Sequence, residues 1–373
     1  MSARLSRTSR PSCPPSPTGS PSCGATPPIA AAHETEPDVR YIRQEIFEPI
    51  GTEGQHKISA ASAAIVGCGA LGTNIANNLA RSGVGRLRII DRDFVELDNL
   101  QRQVLFDEDD VRRRMPKAAA AVEHLRRANS VIRLEAEVCE ISSANIARLI
   151  AGCNVVMDGT DNVEARLLLN DACLASATPC VFAGAVGATA VTMTLVPGQT
   201  PCYRCLMPEL PAPGTTPTAS TAGILHSTTA VVAALQCTAA LRLLIGAFEP
   251  SDEVLCVDVW DRELTRRRLP RRPDCPACAH HRYEFLNAAP VERDTAPPGT
   301  NSVRLAGRLD ADPGCLAEAW RGAGTVVLND WLVSLRVGEH EVIVFRDGRC
   351  IVKGTADPAA ARSILNRLLS LAR

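Results

Sequence analysis

The chain has 373 residues, room for one large domain and something smaller, and its 46% hydrophobic content is enough to bury a core. Against 41 Asp and Glu stand 40 Lys and Arg, and aromatics make up only 3%, so neither a basic nucleic-acid footprint nor stacking platforms for single strands show, and no membrane partner is expected. Fifteen cysteines in so long a chain do not read as a secreted disulfide framework. With no uninterrupted apolar span of membrane length and no signal-peptide h-region, a soluble, reducing, cytoplasmic setting is the expectation.

Residues 1–38 are rich in Ser, Pro and Thr without periodicity, the composition of a disordered tail; Cys13 and Cys23 fall here and receive no role. From Asp38 to Ile58 the apolar residues Ile42, Phe47 and Ile50 recur at near-helical spacing, and a short helix is predicted before the first strand. Arg43 projects from it and, on composition alone, reads as a solvated surface arginine.

Ala63 to Val66 is an apolar strand, followed by Gly67-Cys68-Gly69-Ala70-Leu71-Gly72, a predicted helix Thr73–Ser82, a second strand Arg86–Ile90, and Asp91 at its tip. This is a βαβ unit with a GxGxxG turn and an acid about 20 residues on, the arrangement of a nucleotide site. The glycines admit a phosphorylated ligand to the backbone, the helix N-terminus offers unpaired N–H groups, and Asp91 stands where a ribose hydroxyl needs an acceptor. The loop after Asp91 carries Asn99 and Arg102, and Arg112 to Lys117 adds positive charge before a helix over Ala118–Ala128.

A strand over Ile132–Val138 and a helix over Ala144–Ile150 lead to Val155–Asp158, a strand running into Gly159-Thr160-Asp161-Asn162. Asp158 and Asp161 are both plausible magnesium partners, since hard cations take carboxylate oxygens beside phosphates. Capping of the helix Val163–Ala175 by Thr160 or Asp161 is the equally good local alternative. Val181–Gly187 and Ala190–Val196 supply further strands, and Ala222–Phe248, broken by His226, Gln236 and Arg242, reads as a core or interface helix.

Cys202 and Cys205, then Cys275 and Cys278, form two CxxC pairs about 70 residues apart, with the spacing of a tetrahedral all-sulfur zinc site. Four protein ligands leave no open position, so such zinc is structural; a redox pair or unligated core cysteines are the alternatives. Glu209–Thr218 reads as a mobile Pro/Gly loop, Val254–Trp260 and Glu263–Leu269 as strands, and residues 290–300 as a linker. Beyond it, strands at Thr325–Leu328, Val333–Val337, Val342–Phe345 and Arg349–Lys353, a turn at Asp347-Gly348 and a helix Pro358–Leu371 make 301–373 a small α+β module. The main domain, 39–289, is α/β: a Rossmann-like mixed sheet with flanking helices.

The motifs together resemble the ThiF/MoeB/HesA family, bacterial relatives of ubiquitin-activating enzymes. The matching pieces, in family order, are YIRQ (Tyr41–Gln44), GCGALG (Gly67–Gly72), the Ile89–Asp91 strand end, DNLQRQ (Asp98–Gln103), Pro116-Lys117, DGTDN (Asp158–Asn162), PCYRC (Pro201–Cys205) and CPAC (Cys275–Cys278). The segment VFRDGRCIVKGT (Val344–Thr355) resembles the extension of some ThiF-like proteins.

The resemblance implies an ATP-dependent adenylyltransferase acting on the C-terminal Gly-Gly carboxylate of a ubiquitin-fold sulfur carrier, in thiamin or molybdopterin sulfur transfer. It implies that Gly67, Gly69 and Gly72 cradle ATP and that Asp91 holds the ribose. Asn99, Arg102, Lys117 and Asn162 contact the nucleotide, Arg102 and Lys117 through the phosphates, and Asp161 holds magnesium. Arg43 reaches the site of the other protomer of a homodimer, which overturns its surface reading, and Cys202, Cys205, Cys275 and Cys278 bind zinc.

The chain departs from the family where related sequences often carry a loop cysteine: Ala219 stands there, and alanine has no nucleophile for a carrier thioester or acyl disulfide. No rhodanese-like domain follows, so sulfur comes from a separate sulfurtransferase. Activation of a carrier or peptide in natural-product biosynthesis, an NAD-binding dehydrogenase and a silent dimeric scaffold are the competing readings.

Overall fold

The computed structural model of the chain describes residues 39–211, 217–289, 293–296 and 300–372. The expected tail, the tip of the Glu209–Thr218 loop and most of the expected linker lie outside them. Helices α1 (Ile42–Glu45) and α2 (Gly51–Ala60) precede strand β1 (Ser62–Val66), helix α3 (Ala70–Arg81) and β2 (Arg86–Ile90). A long connection containing α4 (Glu108–Arg112) leads to α5 (Lys117–Ala128) and β3 (Arg133–Glu137), and the chain then returns through α6 (Ile146–Ile150) to β4 (Val155–Asp158). After α7 (Val163–Ala175) come β5 (Cys180–Val186), β6 (Thr189–Leu195), α8 (Tyr203–Leu206), α9 (Ala219–Ala222), α10 (His226–Ile245), β7 (Glu253–Asp258) and β8 (Glu263–Arg268).

These eight strands form one sheet in the order β3-β2-β1-β4-β5-β6-β7-β8. The first five are parallel and the last three antiparallel. Every residue of β1 is buried, as a strand covered on both faces must be. Ala63 and Ile65 pack with α3, α5 and α10 on one face, while Ala64 and Val66 pack with α6, α7 and the four cysteines on the other. The strand order reverses between β1 and β4, so their carboxyl ends open a crevice at the switch point, where open α/β sheets bind ligands.

Helix α10 is long and apolar enough to cross a membrane by length and composition. Here it packs on the sheet, and its buried Gln236 donates from Nε2 to the carbonyls of Asp158 and Val181 at 3.0 Å each. Its buried residues, among them Thr228, Val232, Ala233, Gln236, Cys237 and Ala240, form the core-facing side of the helix read from sequence as core or interface.

The second sheet is antiparallel, in the order β10 (Thr325–Leu328), β11 (Leu332–Val337), β12 (His340–Phe345), β13 (Cys350–Lys353), with β9 (Ser302–Leu305) at the far edge. Helices α11 (Pro313–Ala319) and α12 (Pro358–Leu369) cover one face around the fully buried Trp320. The other face presents Leu332, Ile343, Phe345 and Ile351 to Phe94 of the first sheet's long connection. Both sheets belong to one unit that begins at Tyr41.

Two expectations are corrected, and two elements are added. Helix α3 starts at Ala70 rather than Thr73, with Gly69 as its N-cap, because Gly72 belongs to its first turn: a Cβ there would lie 1.9 Å from the Gly67 carbonyl oxygen. Strand β9 and helix α11 carried no usable sequence pattern, since β9 is four residues with Arg304 inside it. The described part of the expected linker is not free: Thr295 pairs with Arg304 through two backbone hydrogen bonds, and Asp294 binds Arg362.

Candidate active site

The carboxyl ends of β1 and β4 meet through their loops. Gly159 donates its N–H to Val66, and a Cβ on Gly67, whose φ is +87°, would lie 2.6 Å from the Gly159 carbonyl. Gly67 is therefore required twice, by its left-handed backbone and by this approach. Gly69 differs: a Cβ there would meet nothing within 4 Å, in open space where the chain borders a groove. Protein packing does not explain that glycine.

The groove has a volume of about 1390 Å³ and takes in Gly67, Gly69, Asp91, Asn99, Arg102 and Lys117 along one wall and Asp161 and Asn162 along the other. It continues over β6 and β7 to Thr265 and Arg267 of β8, passing Thr218 and Ala219. Gly72 lies behind it in the fold of the loop. Arg43 does not line it; it is exposed on α1, and the structure does not bring it to the groove of its own chain.

Asp91 ends β2 with each carboxylate oxygen accepting one backbone N–H, Oδ2 from Cys68 at 2.6 Å and Oδ1 from Asp93 at 2.7 Å. Burial raises its pKa above the ordinary carboxylate range, against the pull of Lys117. Lys117 opens α5, its N–H donating to the carbonyl of Asp93. Burial alone would lower its pKa, but Asp91, Asp93, Glu96 and Asp161 outweigh it and hold the ammonium above the usual lysine value. Its positive charge is thus secure at neutral pH.

Asn99 is buried and its side chain closes the 96–99 turn, donating to Asp98 Oδ1 and accepting from the Glu96 N–H. Arg102 is tethered by one nitrogen to the Asp98 carbonyl at 2.6 Å. Of the basic run Arg112 to Lys117, only Lys117 reaches the groove. Arg112 pairs with Asp109, Arg113 with Asp109 and Glu123, and Arg114 with Glu341.

The two acids after β4 separate. Asp158 is fully buried, accepting from Thr160 on Oδ1 and from Arg166 and the Ala183 N–H on Oδ2. Asp161 is exposed on the groove wall. Asp161 accepts from Asn162 Nδ2 on Oδ1 at 3.3 Å and, of the two acids, is the one with carboxylate surface facing the groove. The N-cap of α7 is neither Thr160 nor Asp161 but Asn162, whose Oδ1 accepts the Ala165 N–H at 2.8 Å.

Two groove residues were passed over in the sequence. Arg166 lies in the first turn of α7, where the helix dipole disfavours a cation, and that oddity is the signal that a buried acid faces it. Gln103 follows Arg102; it is 3% exposed and lines the groove, and its Oε1 has no partner among the described residues.

In the core cluster under α6 and α7, the four cysteine sulfurs of Cys202, Cys205, Cys275 and Cys278 all lie within 4.8 Å of one another, and all four residues are buried. The Sγ–Sγ separations are 3.9 Å for Cys202–Cys205, 3.6 Å for Cys202–Cys275 and 3.5 Å for Cys205–Cys278. A tetrahedron with zinc–sulfur bonds of about 2.3 Å has edges of about 3.8 Å, so the donor set fits zinc. Tyr203, between the first two cysteines, stacks on Phe182 and donates its backbone N–H to Asn170 Oδ1, which ties the cysteine knuckle to β5 and α7.

A groove at the switch point of a doubly wound sheet, with a glycine loop, a charged lysine and an exposed carboxylate, is the arrangement of a nucleotide-binding α/β enzyme. The ThiF family matches residues 41–277, more than half of the chain, and the chain belongs to that family. It is 41% identical over 334 residues to the sulfur carrier protein ThiS adenylyltransferase of Bacillus subtilis, covering 88% of this chain and 98% of that protein. It is 36% identical over 241 residues to the protein of the same name from Escherichia coli, covering 64% of this chain and 94% of that one. Among solved structures, Escherichia coli MccB with ATP is similar, with a TM-score of 0.55 at 25% identity over 65% of this chain and 75% of that chain. The chain is an adenylyltransferase.

Proposed function

We propose that this chain uses ATP to adenylylate the C-terminal Gly-Gly carboxylate of a ubiquitin-fold sulfur carrier of the ThiS kind. The observation that carries the reading is the likeness to a ThiS adenylyltransferase along nearly the whole of both chains, second sheet included. Molybdopterin carriers remain within the same chemistry. Activation of a peptide carboxylate in natural-product biosynthesis is the second reading, favoured by the likeness to MccB bound to a form of MccA.

A carboxylate oxygen of the carrier attacks the α-phosphorus, the bond to the bridging oxygen of the β-phosphate breaks, and pyrophosphate leaves. Such a displacement needs positioning and charge cancellation more than a strong base. Asp91 accepts from the ribose, and the Gly67–Gly72 loop receives the phosphates beside the N-terminus of α3. Lys117 and Arg102 neutralise developing charge, with Asn99 and Asn162 shaping the nucleotide contacts. Asp161 is the residue that would hold magnesium, which would supply charge neutralisation to the triphosphate. The four cysteines would hold a zinc ion that serves structure, since four protein ligands leave no position for substrate.

The groove extending to β8 suits an extended tail reaching the α-phosphate from outside. Arg43 acts in the partner's groove of a homodimer; exposed Ile42, Ile46 and Phe47 around it give such an interface apolar surface. Ala219 lies on the groove wall without a nucleophile, so the acyl adenylate passes to a separate sulfurtransferase.

ATP–pyrophosphate exchange with magnesium and a panel of Gly-Gly-ending carriers tests this. Exchange with a ThiS-like carrier, lost in Asp161→Ala, supports it. ATP binding without exchange on any carrier overturns the carrier reading, and absence of ATP binding overturns the nucleotide reading.

A further inference from the structure

The second sheet meets the first domain on the connection from Arg92 to Lys117, with Arg349 also donating to the Val138 carbonyl after β3. Arg304 of β9 places Nη2 3.1 Å from Asp93 Oδ1. Lys353 of β13 lies 2.7 Å from Glu96 and 4.6 Å from the centroid of the Phe94 ring. Arg349 donates to the Arg92 carbonyl at 2.9 Å, and Asn329 donates to the carbonyls of Arg113 and Arg114. Phe94 itself is buried against Leu332, Ile343, Phe345 and Ile351. This connection carries Asn99 and Arg102 and ends at Lys117.

The charges on it pose a specific problem. Lys117 sits in the field of four carboxylates, those of Asp91, Asp93, Glu96 and Asp161. Any one turning onto the ammonium would compete with an incoming phosphate. Each of the first three is engaged elsewhere: Asp91 by two backbone N–H groups, Asp93 by Arg304 at 3.1 Å with Arg92 farther off at 3.8 Å, Glu96 by Lys353. Among the described residues no ion pair forms on Lys117 itself.

We propose that the second sheet is a positioning element for the nucleotide site: Arg304 and Lys353 engage Asp93 and Glu96, leaving the Lys117 ammonium free for a triphosphate while Phe94 fixes the connection that bears Asn99 and Arg102. The inference rests on the nucleotide reading of the groove and is independent of which acyl substrate is used. Arg304 and Lys353 act through the two acids and touch no substrate, so their effect falls on nucleotide affinity.

The test is ATP binding to the full-length protein by equilibrium dialysis, without any carrier, alongside the melting temperature of the nucleotide-free protein. Arg304→Gln and Lys353→Gln are expected to weaken ATP binding by about tenfold each, the scale set by coupling between groups in one charge network. Arg304→Lys should restore most of it. The decisive variant is Arg304→Gln with Asp93→Asn: removing the acid removes the competitor, so affinity should recover towards wild type although a second residue has been changed. A purely structural arginine predicts the opposite, an additive or larger loss. Unchanged ATP affinity in Arg304→Gln and Lys353→Gln, or no recovery in the double variant, overturns the inference. Failure of the wild-type protein to bind ATP overturns the nucleotide reading and this inference with it.

Discussion

Arg166 donates from Nε to Oδ2 of Asp158 at 3.0 Å and from Nη2 to the Thr160 carbonyl at 2.6 Å. The acid has no solvent exposure and its partner's side chain is only 13% exposed, so the carboxylate has no water to fall back on. Removing one partner of such a pair costs about 3–5 kcal/mol, because the other is left buried and uncompensated. Asp158→Asn and Arg166→Met are each expected to lower unfolding free energy by that order in urea titrations. Arg166→Lys should not rescue, since an ammonium cannot make both contacts from the same place.

The glycine loop predicts a contrast. Gly72→Ala drives a methyl to within 1.9 Å of the Gly67 carbonyl and should unfold the loop, with a loss of several kcal/mol. Gly69→Ala meets no protein atom within 4 Å and should melt as wild type does, yet lose ATP binding because the methyl occupies ligand space. Melting curves with and without ATP separate the two.

Zinc content by elemental analysis should be one ion per chain. Cys205→Ser and Cys275→Ser should each abolish it and lower the melting temperature by about 10 °C or more, as expected when a structural metal is lost from a large domain. Retention of full zinc by either variant would contradict the four-sulfur site.

Asp161 is exposed while Asp158 is fully satisfied, so Asp161→Asn should leave stability within about 0.5 kcal/mol of wild type. Exchange activity should fall about a hundredfold or more, the scale of losing one preorganised electrostatic contact. Rising magnesium should recover part of it. A destabilised but active variant would reverse the assignment of the two acids.

The pH dependence of the Arg304–Asp93 contact has a defined sign. Burial would raise the Asp93 carboxyl, but Arg304, Lys117, Arg92 and Arg349 outweigh it and hold its pKa well below the usual range. The stability it contributes is therefore present above the unfolded carboxylate value of about 3.9 and is lost as pH falls through the lower folded value. The stability difference between wild type and Arg304→Gln should be constant near pH 7 and shrink below about pH 4.

Much of this was written in short-range pattern. The βαβ unit, the strands β4 to β8, the zinc cysteines and most of the second sheet follow from buried runs, alternation and fixed spacings, which depend on neighbours a few residues away. What pattern could not supply was contact between distant segments. The basic run Arg112–Lys117 is uniform as a string, yet three of its four cations turn to Asp109, Glu123 and Glu341, and only Lys117 faces the groove. Asp158 and Asp161 are equivalent acids in one loop until Arg166 and β5 claim the first. Thr160, Asp161 and Asn162 all have capping side chains, and backbone direction at the start of α7 selects Asn162.

The sequence by itself determined that a glycine loop, an acid-tipped strand, a lysine and two cysteine pairs would occur in the order of a nucleotide-binding α/β domain, because each is set by local backbone geometry and donor spacing. Only the tertiary structure decided which charges are occupied and which are open. Arg304 and Asp93 are 211 positions apart in the chain. Whether one holds the other depends on how a four-residue strand docks on a distant connection, which is a matter of packing that no local pattern encodes.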